Sequence, residues 1–206
     1  MLQKSNNIGL DIIELLVVRD LHLRAISRTL SYNPSTVLSK LNSLMEDNIL
    51  DYRREGKNKI FFLKKNQWTK NYLVQMECHK ALKFFRKKQE FSVIFEEILM
   101  KTDAQLILLF GSYAKGTEKG NSDIDIYANT KNIRDVKEIR SIHARIRATI
   151  GELQKDTELF NEIMNNHIVI RGAEKLYEEY WFPEKTGKRT QNKHLRTLKK
   201  PNKSIP

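Results

Sequence analysis

Two short polar motifs, each attached to an apolar run, are the residues of this sequence best suited to chemistry. The run Gln105–Phe110 ends in Gly111 and Ser112, and Asp123 and Asp125 follow farther along the chain. A glycine lets backbone approach a phosphate closely, and a serine adds a hydroxyl and an amide donor. Two carboxylates one residue apart on a strand share a face and repel each other unless a cation binds between them. The pattern therefore predicts a phosphate site beside a divalent cation, for which magnesium is the expected ion.

Each motif needs a strand to position it. The apolar run Gln105–Phe110 is long enough for one buried strand, and Asp123–Tyr127 predicts a second strand with Ile124 and Ile126 directed into the core. The loop between them contains Lys115 and Lys119. Together the Gly-Ser motif and the Asp-x-Asp motif predict one surface opening, the mouth, that could hold a nucleoside triphosphate and its metal. The combination is far more specific than either motif alone.

These motifs resemble the minimal nucleotidyltransferases of the polymerase-β superfamily. The match rests on Phe110-Gly-Ser-Tyr-Ala-Lys-Gly116 and Ser122-Asp-Ile-Asp-Ile126, within a region of about Ala104 to Trp181. In that family the Gly-Ser pair holds the triphosphate and the two aspartates bind two magnesium ions. The implied reaction is in-line attack of an acceptor hydroxyl on the α-phosphate, which releases pyrophosphate. The resemblance assigns nucleotide binding to Gly111, Ser112 and Lys115, and metal binding and catalysis to Asp123 and Asp125.

The sequence departs from active members of this family at a third carboxylate, which those members carry on a later strand. Here the later strand is predicted at Arg145–Ile150, after a helix at Ile133–His143. Its candidate positions are Arg147 and Ala148, and neither residue is acidic. Glu152 lies just beyond and could substitute only if the strand extends or bends. Two carboxylates suffice for a nucleotide-bound magnesium ion, so nucleotide binding is expected and turnover stays open.

The first 66 residues predict three helices and a β-hairpin. Apolar residues at helical spacing and the helix-starting pair Asn33-Pro34 define the helices, and two β-capable runs flank a polar turn that contains Gly56. The predicted elements are helices at Ile8–Val18, Leu23–Leu30 and Asn33–Asp47, and strands at Ile49–Tyr52 and Ile60–Leu63.

This order of elements resembles a winged helix-turn-helix domain. The resemblance implies that the third helix enters the major groove of DNA while the hairpin, or wing, touches phosphates. Winged helices also serve as protein-interaction modules, so that alternative stays open. Fusion to such a domain resembles archaeal members of the nucleotidyltransferase family. The residues expected to contact DNA are Ser35, Thr36, Ser39 and Lys40 on the helix and Arg53, Arg54, Lys57 and Lys59 on the wing.

The expected architecture is α+β, with a mixed sheet flanked by helices in the nucleotidyltransferase domain. The predicted segments are a winged helix at 1–66, a linker helix at 67–90, the nucleotidyltransferase domain at 91–182 and a basic disordered tail at 183–206. Within the linker, Cys78 is expected to be a small core residue. His167 is expected to cap a strand or to be exposed rather than to act as a catalytic base.

Composition limits the classes of protein to consider. The chain of 206 residues has a net charge of +12, with 40% hydrophobic and 30% charged residues. No apolar run approaches the roughly 20 residues that span a bilayer, and no secretory signal is recognised, so a cytoplasmic protein without membrane contact is expected. From Phe182 to Pro206 eight lysines and arginines face one acid, Glu184, which gives +7. That segment is either a solvated tail or a sequence-independent arm for nucleic acid.

Three functions remain open on the sequence alone. The protein could be an active nucleotidyltransferase that modifies a protein, an RNA or a small molecule. It could instead be a DNA-binding regulator whose transferase domain senses a nucleotide without turnover. It could also be antitoxin-like, paired with a small helical partner of the HEPN type. A homodimer is a further hypothesis, because winged helices commonly act as dimers on symmetric sites.

Overall fold

The computed structural model describes residues 7–182, so the basic tail predicted at 183–206 lies outside the described residues. The N-terminal half contains α1 (Ile8–Val18), β1 (Leu21–His22), α2 (Leu23–Leu30), α3 (Pro34–Glu46), β2 (Leu50–Glu55), β3 (Asn58–Leu63) and α4 (Gln67–Phe85). The remaining elements are α5 (Phe91–Lys101), β4 (Ile107–Phe110), α6 (Gly111–Lys115), β5 (Ile124–Ala128), α7 (Ile133–Ile142), β6 (Ile146–Ile150), α8 (Glu158–Asn165), β7 (Ile168–Arg171) and α9 (Ala173–Tyr180).

The predicted hairpin is confirmed, and its strands are longer than predicted. β2 and β3 pair antiparallel as far as Glu55 opposite Asn58, which leaves a two-residue turn. Gly56 begins that turn with φ +58°, a conformation that hairpin turns assign to glycine. A short strand, β1, adds to the other edge of β3 to complete a three-stranded sheet. The helices α1–α3 pack on this sheet through fully buried residues that include Ile12, Ile26 and Leu41.

Helix α3 starts where the sequence predicted. Asn33 precedes it and Pro34 is its first residue, although the Asn33 side chain makes no capping hydrogen bond. Proline is well suited to this position because the first helical residue needs no intrahelical N–H donor. The start of α3 therefore depends on the proline rather than on a side-chain cap.

Helix α4, which covers most of the predicted linker helix, is packed into the core. Leu73, Met76 and Glu77 form its buried face, and the helix packs against α1 on one side and against β7 and α9 on the other. Cys78 falls on the opposite face and is exposed, so its prediction as a core residue was wrong. The residue before Cys78, Glu77, lies on the buried face of the helix instead.

The second sheet is mixed and flanked by helices, as predicted. Its strand order is β6-β5-β4-β7, with β5 and β6 parallel and the other neighbours antiparallel. Ile107, Leu109 and Ile126 on one face join the cluster formed with α5 and α7. Leu108 and Tyr127 on the other face join the cluster that includes α4, α8 and α9. The predicted strands all form with shifts of one or two residues, whereas α6 and α8 were not predicted.

No helix between residues 7 and 182 combines the length and the apolar character needed to cross a bilayer.

Candidate functional site

The Gly-Ser motif and the Asp-x-Asp motif are in direct contact. Strand β4 ends at Phe110, which pairs with Asp125 of β5, and the chain then turns into α6 at Gly111 with φ +69°. A Cβ atom on Gly111 would lie 2.2 Å from Asp125 Oδ2. Both the backbone conformation and the available space therefore require glycine here. The Asp125 carboxylate lies against the backbone that leads into Ser112, which is half-buried.

Asp123 and Asp125 carry the negative charge of the site. Asp125 lies on β5 and is half-buried, while Asp123 directly precedes the strand and is exposed. Burial raises the pKa of Asp125, and the neighbouring Asp123 charge raises it further. Such a pair fits a divalent cation with oxygen ligands. Among the described residues, however, no group of three or more acidic, histidine or cysteine side chains is placed to hold a metal ion.

Of the two candidates for the third-carboxylate position, Arg147 lies on the sheet face that carries Asp125. Strand β6 lies parallel to β5 with Arg147 beside Asp125, so both side chains point from the same face of the sheet. Arg147 Nε donates a hydrogen bond of 3.3 Å to Asp123 Oδ2. Ala148 faces the core. Glu152 lies past the end of β6, where it is 74% exposed and 3.5 Å from Lys131 Nζ.

Lys115 lies at the end of α6 and contacts an acidic residue that the sequence analysis missed. Its Nζ is 2.6 Å from Glu162 Oε1 on α8, and both side chains are partly exposed. The Glu162 charge also contributes to the raised pKa of Asp125, after burial and Asp123. Helix α8 begins at a local signal in the sequence, because the Thr157 side chain accepts a hydrogen bond from Phe160 N. That cap could have revealed the helix.

The loop between the two motifs is fixed by Arg145, another residue that the sequence analysis did not single out. Arg145 Nη1 donates to the Gly120 carbonyl at 2.7 Å and to the Tyr113 hydroxyl at 3.3 Å. The backbone N–H of Ile124 donates to the Arg145 carbonyl at 2.8 Å. These contacts thus hold the loop in place just before Asp123 and Asp125.

A cleft of about 930 Å³ lies beside α6, between α1, α4 and the turn from α8 to β7. Its volume is in the range of small-molecule binding sites. Lys83 pairs with Glu14 at 2.7 Å, and Lys88 pairs with Glu118 at 2.6 Å. Two further cations that line the cleft have no ion pair within residues 7–182. The lysines and arginines that line the cleft are Lys80, Lys83, Arg86, Lys87, Lys88 and Lys115, and the two unpaired ones are Arg86 and Lys87.

His167 contributes to the wall of this cleft and directly precedes β7, but it is buried, so of the two expectations only the one that it is exposed was wrong. It is 4% exposed, with Nδ1 2.7 Å from the Ile163 carbonyl and Nε2 3.1 Å from Glu77 Oε1. Glu77 is 1% exposed and also accepts hydrogen bonds from the Tyr177 hydroxyl at 2.5 Å and from Lys80. Burial acts to raise the pKa of Glu77, but the nearby cations outweigh it and bring that pKa to about 2. The cluster joins α4 to β7 and α9.

The predicted DNA-contacting residues on α3 differ in exposure. Ser35, Thr36 and Ser39 are exposed. Lys40 is half-buried, because its stem lies over α1, where a Cβ on Gly9 would be 2.5 Å from Lys40 Cε. The three hydroxyl residues are therefore available to a partner, while part of Lys40 is used in helix packing.

The predicted wing residues are all exposed, but two of the four have partners within the protein. Arg53 is bound to Asp20 and, at 2.9 Å, to Glu55. Lys59 Nζ lies 4.0 Å from the centre of the Tyr52 ring. Within residues 7–182, the wing cations with no recorded ion pair or ring contact are Arg54 and Lys57.

One comparison with known proteins gives a match. Residues 94–178 match the family model described as Polymerase beta, Nucleotidyltransferase. No curated protein and no solved structure matches the chain significantly. The matched region includes all four strands of the mixed sheet together with Gly111, Ser112, Asp123 and Asp125. Over residues 94–178, less than half of the chain, the match supports a nucleotidyltransferase domain of the polymerase-β superfamily.

Proposed function

We propose that the protein binds a nucleoside triphosphate together with magnesium at the mouth formed by Gly111, Ser112, Asp123 and Asp125. The close approach of the Gly111 backbone to the Asp125 carboxylate supports this proposal most directly. A phosphate bound to that backbone and a cation bound to that carboxylate would lie side by side, which is what a metal–triphosphate complex requires. The family match of residues 94–178 supports the same ligand class.

The residues of the site have separate roles in this proposal. Gly111 provides a backbone that a phosphate can approach closely, and Ser112 adds hydroxyl and amide donors. Asp123 and Asp125 hold magnesium, which neutralises phosphate charge when it is bound. Lys115 contacts a phosphate after leaving Glu162, its partner in the structure.

Nucleotide binding is tested by calorimetric titration of the full chain with each nucleoside triphosphate, with and without magnesium. Asp125→Asn keeps the shape of the side chain but removes its charge. We expect it to weaken magnesium-dependent affinity by at least about tenfold, or roughly 1.4 kcal/mol. Asp103→Asn, at an exposed position outside the site, is the matched control and should leave affinity unchanged. A wild-type chain that binds no triphosphate at millimolar concentration would contradict the proposal.

We also propose that the N-terminal elements α1 to β3 form a winged helix that binds DNA. The order of three helices and a hairpin supports this, as does the exposed row Ser35, Thr36 and Ser39 on α3. Arg54 and Lys57 on the hairpin supply cations for phosphates. A domain that contacts bases through α3 and phosphates through the wing would suit a transcriptional regulator that responds to a nucleotide.

DNA binding is tested by measuring the affinity of fluorescent duplexes at several salt concentrations. Arg54→Glu/Lys57→Glu should weaken binding to every sequence and reduce the salt dependence, because phosphate contacts are lost. Ser39→Ala should instead alter preference among sequences. The control is Arg134→Glu/Lys137→Glu on α7, which makes the same change in charge at exposed positions. Absence of duplex binding even at low salt would remove the regulator hypothesis.

Nucleotidyl transfer is the second candidate function, and the family match favours it. The acceptor would be a protein, an RNA or a small molecule, and a helical protein of the HEPN type is one candidate partner. The test is to incubate the chain with labelled triphosphates, magnesium and candidate acceptors, and to follow transfer of label. Loss of transfer in Asp123→Asn would support the reaction. Retained nucleotide binding without transfer to any acceptor would support the sensing role.

A further inference from the structure

We infer that the Arg147 guanidinium takes the place of a second metal ion, so that the site holds its nucleotide with one divalent cation and with Arg147 as a phosphate ligand. This inference rests on the proposed nucleotide binding and specifies how the ligand is held. A single divalent cation differs from the two magnesium ions that the family resemblance implied.

The position of Arg147 follows from strand register. Residues opposite each other on parallel strands project from the same face, and Arg147 of β6 lies opposite Asp125 of β5. Its Nε is 3.3 Å from Asp123 Oδ2. The guanidinium therefore lies beside Asp123 on the sheet face that carries Asp125. A second metal ion would have to bind at the same position.

The charge at this place argues against a second divalent ion. Asp123 and Asp125 carry two negative charges, and the guanidinium of Arg147 already offsets one of them. A second divalent ion would meet a fixed positive charge and would lack a third carboxylate. The nearby acids do not supply that ligand, because Glu162 is paired with Lys115 and Glu152 lies beyond β6 beside Lys131.

Arg147 retains donors for a ligand. A guanidinium carries five N–H donors in a planar fork, and this fork matches the oxygen atoms of a phosphate. Within residues 7–182 the recorded hydrogen bond of the Arg147 side chain uses Nε alone. Asp123 thus orients the guanidinium while Nη1 and Nη2 are left for a phosphate oxygen. The exposure of the side chain makes those donors accessible from the mouth.

The experiment counts manganese ions, which replace magnesium as a spectroscopic probe, in the full chain saturated with a non-hydrolysable triphosphate. Electron paramagnetic resonance should find one Mn²⁺ per nucleotide in the wild type. Arg147→Asp restores a third carboxylate and should bind two. Arg147→Gln should still bind one, with nucleotide affinity lowered about tenfold because a charged phosphate ligand is lost. Arg134→Asp on α7 is the matched control and should match the wild type in both measurements.

Each alternative result has a defined meaning. Two Mn²⁺ ions in the wild type, or one in Arg147→Asp, would overturn the inference about the metal count. Unchanged nucleotide affinity in Arg147→Gln would overturn the phosphate-ligand role. Arg147 is exposed, so each variant should fold, and thermal unfolding measured with Mn²⁺ present checks this because the ion offsets repulsion among the carboxylates.

A titration with Mn²⁺ alone separates failure of this inference from failure of the proposed function. Arg147→Asp should bind one more Mn²⁺ than the wild type whether or not nucleotide is present. If neither protein binds nucleotide but the variant gains the ion, the proposed function fails and the assignment of Arg147 to a cation position stands. If the variant gains no ion, the assignment fails as well.

Discussion

At the scale of single residues, Gly111 ties the two motifs together, and replacing it tests that link. Gly111→Ala would strain a backbone at φ +69° and force the new Cβ against Asp125 Oδ2. We expect a loss of about 1–3 kcal/mol from backbone strain, and a further loss from the clash. We also expect weaker magnesium-dependent nucleotide affinity, because Asp125 must move. Chemical unfolding and calorimetric titration measure the two effects.

Gly116→Ala is the control for Gly111→Ala. Gly116 has nearly the same φ, +70°, yet no atom lies within 4 Å of a Cβ placed there. The control should therefore show the backbone strain without the displacement of Asp125. Equal loss of nucleotide affinity in both variants would show that contact with Asp125 is unimportant for binding.

Glu77 gives a prediction for pH. Its pKa is lowered to about 2 in the folded protein by His167 and Lys80, although burial opposes this shift. Because the folded pKa lies below the unfolded value, the stabilisation is complete above about pH 4.5 and is lost as the pH falls towards 2. The shift corresponds to about 3 kcal/mol of unfolding free energy. Glu77→Gln should remove this part of the pH dependence.

The measurement for Glu77 is urea unfolding at several pH values between 7 and 3. Glu77→Gln should also be less stable at pH 7 by about 3–5 kcal/mol, because it leaves the largely buried Lys80 ammonium without its counter-charge. Glu96→Gln, on an exposed position of α5, should leave both the stability and its pH dependence near those of the wild type. Parallel pH profiles for the wild type and Glu77→Gln would contradict the assignment.

The sequence could predict which residues meet within one strand but not which meet across strands. Period-two alternation was enough to place Asp123 and Asp125 together, and Ile126 in the core. The contact of Arg147 with Asp123 depends on parallel pairing of β5 with β6, which no local pattern specifies. The burial of His167 could not be predicted for the same reason, because its partner Glu77 is far away in sequence.

At the scale of elements, long apolar patterns predicted helices and strands well, and short elements were missed. β4 and β5 each contain a run of buried residues that marks a strand. Helix α6 has five residues and begins at a glycine, so its sequence contains no helical period. Strand β1 has two residues and exists through pairing with β3. Such elements depend on tertiary contacts rather than on local propensity.

The cleft beside α6 gives a prediction at this scale. It is lined by Lys115 at the end of α6 and by Arg86 and Lys87 just after α4, but not by Gly111, Ser112, Asp123 or Asp125. We predict that the distal phosphates of a nucleotide held at Gly111 reach these cations past α6. Arg86→Glu/Lys87→Glu should weaken affinity for a nucleoside triphosphate by tenfold or more, about 1.4 kcal/mol. Affinity for the monophosphate should change much less.

The comparison of tri- and monophosphate identifies which part of the ligand the cleft contacts. Arg134→Glu/Lys137→Glu on α7 makes the same change of charge on the opposite side of the sheet and is the control for long-range electrostatics. If both double variants weaken triphosphate binding equally, the effect belongs to net charge and the cleft has no specific role. Repeating the titration at higher salt checks this, because long-range effects are screened.

At the scale of the whole molecule, the N-terminal elements and one face of the mixed sheet share a core. A single cluster extends from Ile12 and Leu41 through Leu73 and Met76 of α4 to Leu108 of β4. The predicted division at residues 66 and 90 follows the chain but cuts through this cluster. The sequence could not show this, because each apolar stripe is compatible with many partners. Helix α4 thus covers a sheet face that would otherwise meet water.

The shared core predicts that residues 91–182 fold poorly without α4. In that fragment Leu108 and Tyr177 lose their α4 neighbours, and the stripe of apolar surface this exposes favours aggregation. The fragment 67–182 retains α4 and should be the more stable of the two. Urea unfolding followed by circular dichroism should give one cooperative transition for the full chain, since neither half completes its core alone. A fragment 91–182 that stays monomeric and unfolds cooperatively at the full-chain midpoint would show that α4 is a linker after all.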